Sequence, residues 1–162
     1  MRTQIRRMIV EDIPMLQQVA KTTWNTTYEG IIPLHIQETF LQRNYSETDL
    51  KNRMERSVVF VADVGGEVKG FANFSRSKNK REEAELGAIY ILPELQSQGI
   101  GGQLLHAGIE NLSGIKFLTV VVEKENIIGI RFYKSKGFVA LNEFEEQLDG
   151  HTLKLEKMIL AI

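Results

Sequence analysis

The run Gln96-Ser97-Gln98-Gly99-Ile100-Gly101-Gly102 closes an apolar stretch and opens a helical one, and its composition suits it to receive an anion. The first turn of a helix carries backbone N–H groups with no intrahelical partner, and glycines let a phosphate approach them closely. Three phosphate patterns compete for these residues. A P-loop needs Lys and then Ser or Thr after its last glycine, whereas Gly102 precedes Gln103 and Leu104, so that reading fails. A dinucleotide fingerprint G-x-G-x-x-G begun at Gly99 meets Leu104 where its third glycine belongs. Glu123 does stand roughly where a ribose-binding acid would, so this stays as the weaker alternative. The pattern Q/R-x-x-G-x-G/A is met without exception by Gln96, Gly99 and Gly101, with Pro93 and an apolar strand ahead of it.

The elements that must hold this turn can be read on either side of it. Thr3 to Val10 reads as an opening strand, and Glu11-Asp12 before Pro14 as a helix start carrying Ile13, Leu16, Ala20 and Trp24 at helical spacing. Gly30 and Pro33 break that pattern, a second helix runs from about His35 to Arg43, and Ser46 with Asp49 forms a capping box for a third, to about Arg56. Val58–Val64 and Val68–Ser75 are strands joined by the hairpin turn Gly65-Gly66. The charged segment 76–83 is a loop, and Ala84–Leu92 a strand stopped by Pro93. Ile100, Leu104, Leu105, Gly108, Ile109 and Leu112 share a helix face, Phe117–Val122 is an apolar strand, and Asn126–Lys136 is helical with Gly137 as its stop. Two last strands flank Leu148-Asp149-Gly150. The sum is an α+β fold: a mixed, mostly antiparallel sheet with one strand-helix-strand crossover at its centre.

Composition narrows the function classes. With 162 residues, 43% hydrophobic and 25% charged, the chain reads as a single domain, 1–162. No export signal or membrane span is visible, and the expected location is the cytoplasm. Cysteine is absent and His35, His106 and His151 are scattered, so neither thiolate chemistry nor a metal is expected. A formal charge of −1 with interspersed signs argues for no nucleic acid and no membrane as partner.

With the central turn, a second motif appears: Asn126, Phe132-Tyr133 and Gly137-Phe138 follow the spacing N-x-x-A-x-x-F-Y-x-x-x-G-F, with Gly129 in the alanine position. In these two motifs the chain resembles the GNAT superfamily of acyl-CoA-dependent N-acyltransferases, and the resemblance spans most of its length. It implies a three-layer GNAT-like fold in which strands 84–92 and 117–122 run parallel and splay apart. Acetyl-CoA would be the cosubstrate, its pantetheine pairing with backbone near Ile89, Tyr90 and Ile91 and its pyrophosphate lying on Gln96, Ser97, Gln98, Gly99, Ile100, Gly101 and Gly102. Relatives often carry Ser, Lys or Arg where this chain has Gly102. Asn126 would bind the pantetheine arm, having both a donor and an acceptor, and also reads as a helix N-cap.

The implied reaction is direct acetyl transfer in a ternary complex to a primary amine of a small molecule, polyamine-like or other, or to a peptide or protein amino group. Glu85 is the first choice for taking the amine proton, and Tyr133 for protonating the leaving thiolate. A backbone N–H near Ile89 to Ile91 would stabilise the oxyanion. Trp24, Tyr28 and Glu29 are the candidate acceptor-side residues. Glu143, Glu145, Glu146 and Asp149 offer acidity that a cationic amine would favour, whereas Arg76, Lys78, Lys80 and Arg81 read as a solvated loop. A non-catalytic acyl-CoA-binding regulatory module is the alternative, and the family allows a homodimer.

Overall fold

The opening strand is shorter than its apolar pattern suggests. In the computed structural model, which describes residues 2–162, β1 spans Thr3–Arg7, and a 3-10 turn at Val10–Asp12 leads into α1, Ile13–Tyr28. The reason is electrostatic. The Arg6 guanidinium donates two hydrogen bonds to Asp12, 2.8 and 2.9 Å, and Asp12 also accepts from the Ile9 N–H at 2.9 Å. These bonds hold residues 9–12 in a turn at the end of the strand, while the Met8 N–H still reaches the Val59 carbonyl at 3.0 Å. Burial alone would raise the Asp12 pKa, but Arg6 and the Ile9 amide outweigh it and hold the carboxyl below its usual value.

Helices α2 (Leu34–Asn44) and α3 (Glu47–Arg56) follow, with Ser46 accepting from the Asp49 N–H at 3.1 Å as the capping pattern predicts. Strands β2 (Val58–Val64) and β3 (Glu67–Arg76) are joined through Gly65 and Gly66 at φ +63° and +92°, a turn that glycine takes without strain. The charged loop is tighter than expected, because β3 continues to Arg76 and β4 (Glu83–Ile91) begins one residue early. Then come α4 (Ile100–Asn111), β5 (Phe117–Glu123), α5 (Ile127–Ser135), β6 (Val139–Leu148) and β7 (His151–Ala161).

The seven strands lie in the order β1-β2-β3-β4-β5-β7-β6, antiparallel throughout except for β4 and β5. That is the mixed sheet with a central crossover that the sequence implies. Helix α1 packs on β3 and β4 and α3 on β2, while α4 crosses the other face against β1 to β4. Two apolar cores result. Leu16, Val19, Val61 and Phe71 lie under the front helices, and Phe74, Leu86, Leu104 and Leu118 lie under α4. Among the described residues no helix is long and apolar enough to cross a membrane.

One irregularity positions everything that follows. On β3, Asn73 faces Ala88 and Phe74 faces Leu86, so Gly87 is an extra residue in β4. Such a bulge bends the strand and reverses which face each later side chain meets. Ala84 and Leu86 accordingly pack under α4, whereas Ala88 and Tyr90 pack under α1. Pairing between β4 and β5 ends just there: it runs from Glu83 with Phe117 to Leu86 with Val120 and no further. Beyond that point β4 stays with β3 and β5 stays with β7, and the sheet forks.

Candidate active site

The fork opens a cavity of about 820 Å³. Its walls are Gly87 to Ile91 of β4, Val120 to Val122 of β5, the turn before α4, the start of α5 and one face of α1. Main-chain groups alternate in direction along a strand. Since the Leu92 N–H bonds the Lys69 carbonyl at 3.0 Å, Tyr90 also turns its main chain toward β3, and the Ile89 and Ile91 main chains face the fork. Of the three residues named for backbone pairing, Ile89 thus turns its N–H and carbonyl to the fork, and Ile91 its N–H, the Ile91 carbonyl being taken by Gln96. Tyr90 lines the cavity too, but through a half-buried side chain whose hydroxyl accepts from Trp24 Nε1 at 2.8 Å.

The turn after β4 is held in place by Gln96, whose Nε2 donates to the Ile91 carbonyl at 3.3 Å. Gly99 sits at φ +83°, the left-handed region, as N-cap of α4. The first helical bond runs from the Gln103 N–H to the Gly99 carbonyl at 3.1 Å, so the amides of Ile100, Gly101 and Gly102 have no intrahelical acceptor. Gln96, Ser97, Gly99, Gly101 and Gly102 line the cavity. Gln98 instead points outward, donating to the Glu94 carbonyl at 3.4 Å, and the Ile100 side chain is buried under the sheet, leaving only its backbone available. Gly101 has a packing reason as well: a Cβ there would come within 2.8 Å of the Phe132 ring.

Asn126 caps α5, its Oδ1 accepting from the Gly129 N–H at 2.9 Å. A Cβ on residue 129 would lie 2.7 Å from Asn126 Nδ2, so the glycine at this position lets the asparagine fold onto its own helix. Tyr133 is buried on the cavity wall, edge-on to Phe132 and Phe138, and burial and nearby Tyr28 push its phenol pKa up. Tyr28 also lines the cavity. Its phenol is pushed up to about 12, first by burial and then by the Glu123 carboxylate, with Asn126 opposing. Trp24 lines the same wall but is mostly core, stacked on Phe40 at 4.1 Å.

Two carboxylates named from sequence fall elsewhere. Glu85 is exposed and is not among the lining residues, because it sits opposite Thr119 where β4 and β5 are still paired. Glu29 lies at the end of α1 in a separate recess with Gln37 and His151. The acids of the last hairpin are partly spoken for, Lys124 pairing with Glu143 at 2.9 Å and Arg43 with Asp149 at 3.0 Å. Sequence reasoning weighed Glu123 only for the failed dinucleotide pattern, and like Glu85 it is not among the residues lining the cavity, lying just behind them. This carboxylate is 6% exposed, accepts from the Glu125 N–H at 2.6 Å, and has a pKa raised by burial against that hydrogen bond. The signal was present in β5, where Leu118, Val120 and Val122 alternate inward and put Thr119 and Glu123 on the front face.

A forked parallel pair with unpaired amide edges, ending on a helix N-terminus, defines an acyl-CoA-binding class of protein. The Acetyltransferase (GNAT) family matches residues 18–138, and the chain belongs to that family. It is 31% identical over 165 residues to the spermidine N(1)-acetyltransferase of Thermoplasma acidophilum, covering 97% of this chain and 98% of that one. It is 34% identical over 147 residues to an uncharacterised N-acetyltransferase, YuaI, of Bacillus subtilis, at 87% and 84% coverage. The crystal structure of the PaiA N-acetyltransferase of T. acidophilum in complex with coenzyme A superposes with a TM-score of 0.82 at 28% identity, over 96% of this chain and 98% of that one. The chain is therefore an enzyme of the acetyltransferase class with acetyl-CoA as cosubstrate. The free amides of the fork and of the α4 turn fit that molecule's amide-rich arm and diphosphate.

Proposed function

We propose that this enzyme transfers the acetyl group of acetyl-CoA to a primary amine of a small, cationic, polyamine-like molecule, by direct attack in a ternary complex. The observation that carries this reading is the fork itself: one cavity passes between β4 and β5 and joins the α4 turn to the α1 wall. The thioester can enter from one side and the amine from the other. The spermidine acetyltransferase similarity supports a cationic acceptor, as does the carboxylate of Glu125 on the lining.

In this reading the amine nitrogen attacks the carbonyl carbon and a C–N bond forms. The oxyanion takes a hydrogen bond from the Ile89 or Ile91 amide. On collapse the C–S bond breaks, and Tyr133 gives its phenolic proton to the departing thiolate. An alkylamine is charged at neutral pH, with a pKa of about 10, so its proton must leave before attack. Glu123 would take it: it lies behind the lining, near enough to the lining residue Tyr28 to raise that phenol's pKa, and burial raises its own. Glu85 lies four residues nearer the paired end of the strands, roughly 13 Å away along the sheet, and would act only through water. The proton taken from the amine restores the Tyr133 phenol through solvent.

The test is release of free coenzyme A thiol from acetyl-CoA across a panel of amines: spermidine, shorter diamines, aminoglycosides and peptides with a free amino group. Turnover with linear polyamines above the others is expected. A preference for peptide amino groups would replace the acceptor assigned here, and no turnover with any amine would leave the reading without support.

A further inference from the structure

The turn that faces the diphosphate contains no cation, for Gln96 to Gly102 is neutral throughout. Backbone amides alone would then meet a group carrying about two negative charges. A side chain from another element fills this gap. A Cβ built on Gly102 would lie 2.9 Å from Lys136 Nζ and 3.5 Å from its Cε, so the lysine ammonium stands where a side chain of residue 102 would.

Lys136 is brought there by the end of α5. It is the C-cap of that helix, with its N–H bonded to the Phe132 and Tyr133 carbonyls at 3.2 and 3.1 Å. Its side chain turns back over the Phe132 ring, Nζ 5.8 Å from the centroid, and lines the same cavity as the glycine turn. Phe132 in turn packs against Gly101, so α5 and α4 are in register at this point. Among the described residues Lys136 forms no ion pair, nor does Arg131, the other cation on the cavity lining, but it is Lys136 whose ammonium lies against Gly102. Its charge is uncommitted and aimed at the anion site.

We infer that Lys136 is the cation that holds the diphosphate of acetyl-CoA in this enzyme, in the place a side chain on residue 102 would otherwise occupy. Two neutral features become one device: the absence of a side chain at Gly102 makes room for the ammonium, and α5 delivers it. The inference rests on the cavity binding acetyl-CoA.

Isothermal titration of the full chain with coenzyme A and with dephospho-coenzyme A, which lacks the 3′-phosphate, tests it. Lys136→Met should weaken both ligands equally, by about five- to tenfold, as one solvated charge-assisted contact allows. The loss should shrink as ionic strength rises. In turnover, the KM for acetyl-CoA should rise while kcat holds. Adding Gly102→Lys to Lys136→Met should restore binding to within about twofold of wild type, since the new side chain reaches the same place. Unchanged constants in Lys136→Met overturn the inference, as does a loss confined to coenzyme A, which would put the lysine on the 3′-phosphate. A double variant as weak as Lys136→Met overturns the exchange between the two positions. If wild type bound neither ligand, the coenzyme A reading of the cavity would fall along with the inference.

Discussion

Tyr133 and Glu123 are the two residues proposed for proton transfer, and burial raises the pKa of both. Tyr133→Phe keeps the edge-on packing against Phe132 and Phe138 and removes only the hydroxyl. A fall in kcat of about a hundredfold with the KM for acetyl-CoA unchanged is expected from loss of a general acid, and undiminished turnover would sink the assignment. Glu123 offers a sharper diagnostic because its two effects have opposite signs. A carboxyl whose folded pKa lies above its unfolded value binds more protons when folded. Its presence costs nothing at low pH and lowers stability as pH rises from the ordinary value of 4.5 through the raised one. Glu123→Gln should therefore raise the Tm at pH 7.5 while lowering kcat and removing the acid limb of the pH–rate profile. Glu85→Gln, exposed where β4 and β5 are still paired, should change neither. A reversal of the two results would return the base to Glu85.

At the scale of elements, the decisive contact is between α4 and β3. Gly108 lies against the fully buried Phe74, and a Cβ there would collide with the ring. Alanine favours a helix interior over glycine by about 1 kcal/mol. Overpacking a full core costs about 1–3 kcal/mol, so packing wins. Gly108→Ala should lower the midpoint of urea unfolding, and an unchanged or raised midpoint would mean that the ring moves freely. The element boundaries show where sequence patterning suffices. The capping pair Ser46 and Asp49 and the glycines at residues 65 and 66 act within a few residues, and the structure follows them. β1 departs because Asp12 answers to Arg6, a partner on the strand itself that apolar periodicity does not register.

Across the whole molecule, the fork divides the sheet into a half ending in β4 and a half beginning at β5. A ligand seated between them binds only the folded arrangement. At one hundred times its dissociation constant, coenzyme A should add about 2.7 kcal/mol to stability. For a chain of this size that corresponds to a Tm higher by about 5–10 °C, measurable by differential scanning calorimetry. NAD should produce no shift. A shift with NAD and none with coenzyme A would revive the dinucleotide alternative, against which Leu104 stands in the place of the third glycine.

Strand and helix periodicities, the glycine turn and the Asn126 to Phe138 spacing are local patterns; they determined the order of elements and the central crossover, and the family resemblance they carry implied the acyl-CoA class. Local patterns also singled out Tyr133 and the glycine turn as candidates. Tertiary structure decided what depends on a single extra residue in β4 and on side chains meeting across elements. The bulge at Gly87 reverses the faces of β4 and leaves Glu85 below the fork, while the parity of β5 puts Glu123 on the face opposite Leu118, Val120 and Val122. Lys136 came to Gly102 in the same way, through the docking of α5 on α4, a contact between residues 34 apart that no spacing along the chain encodes.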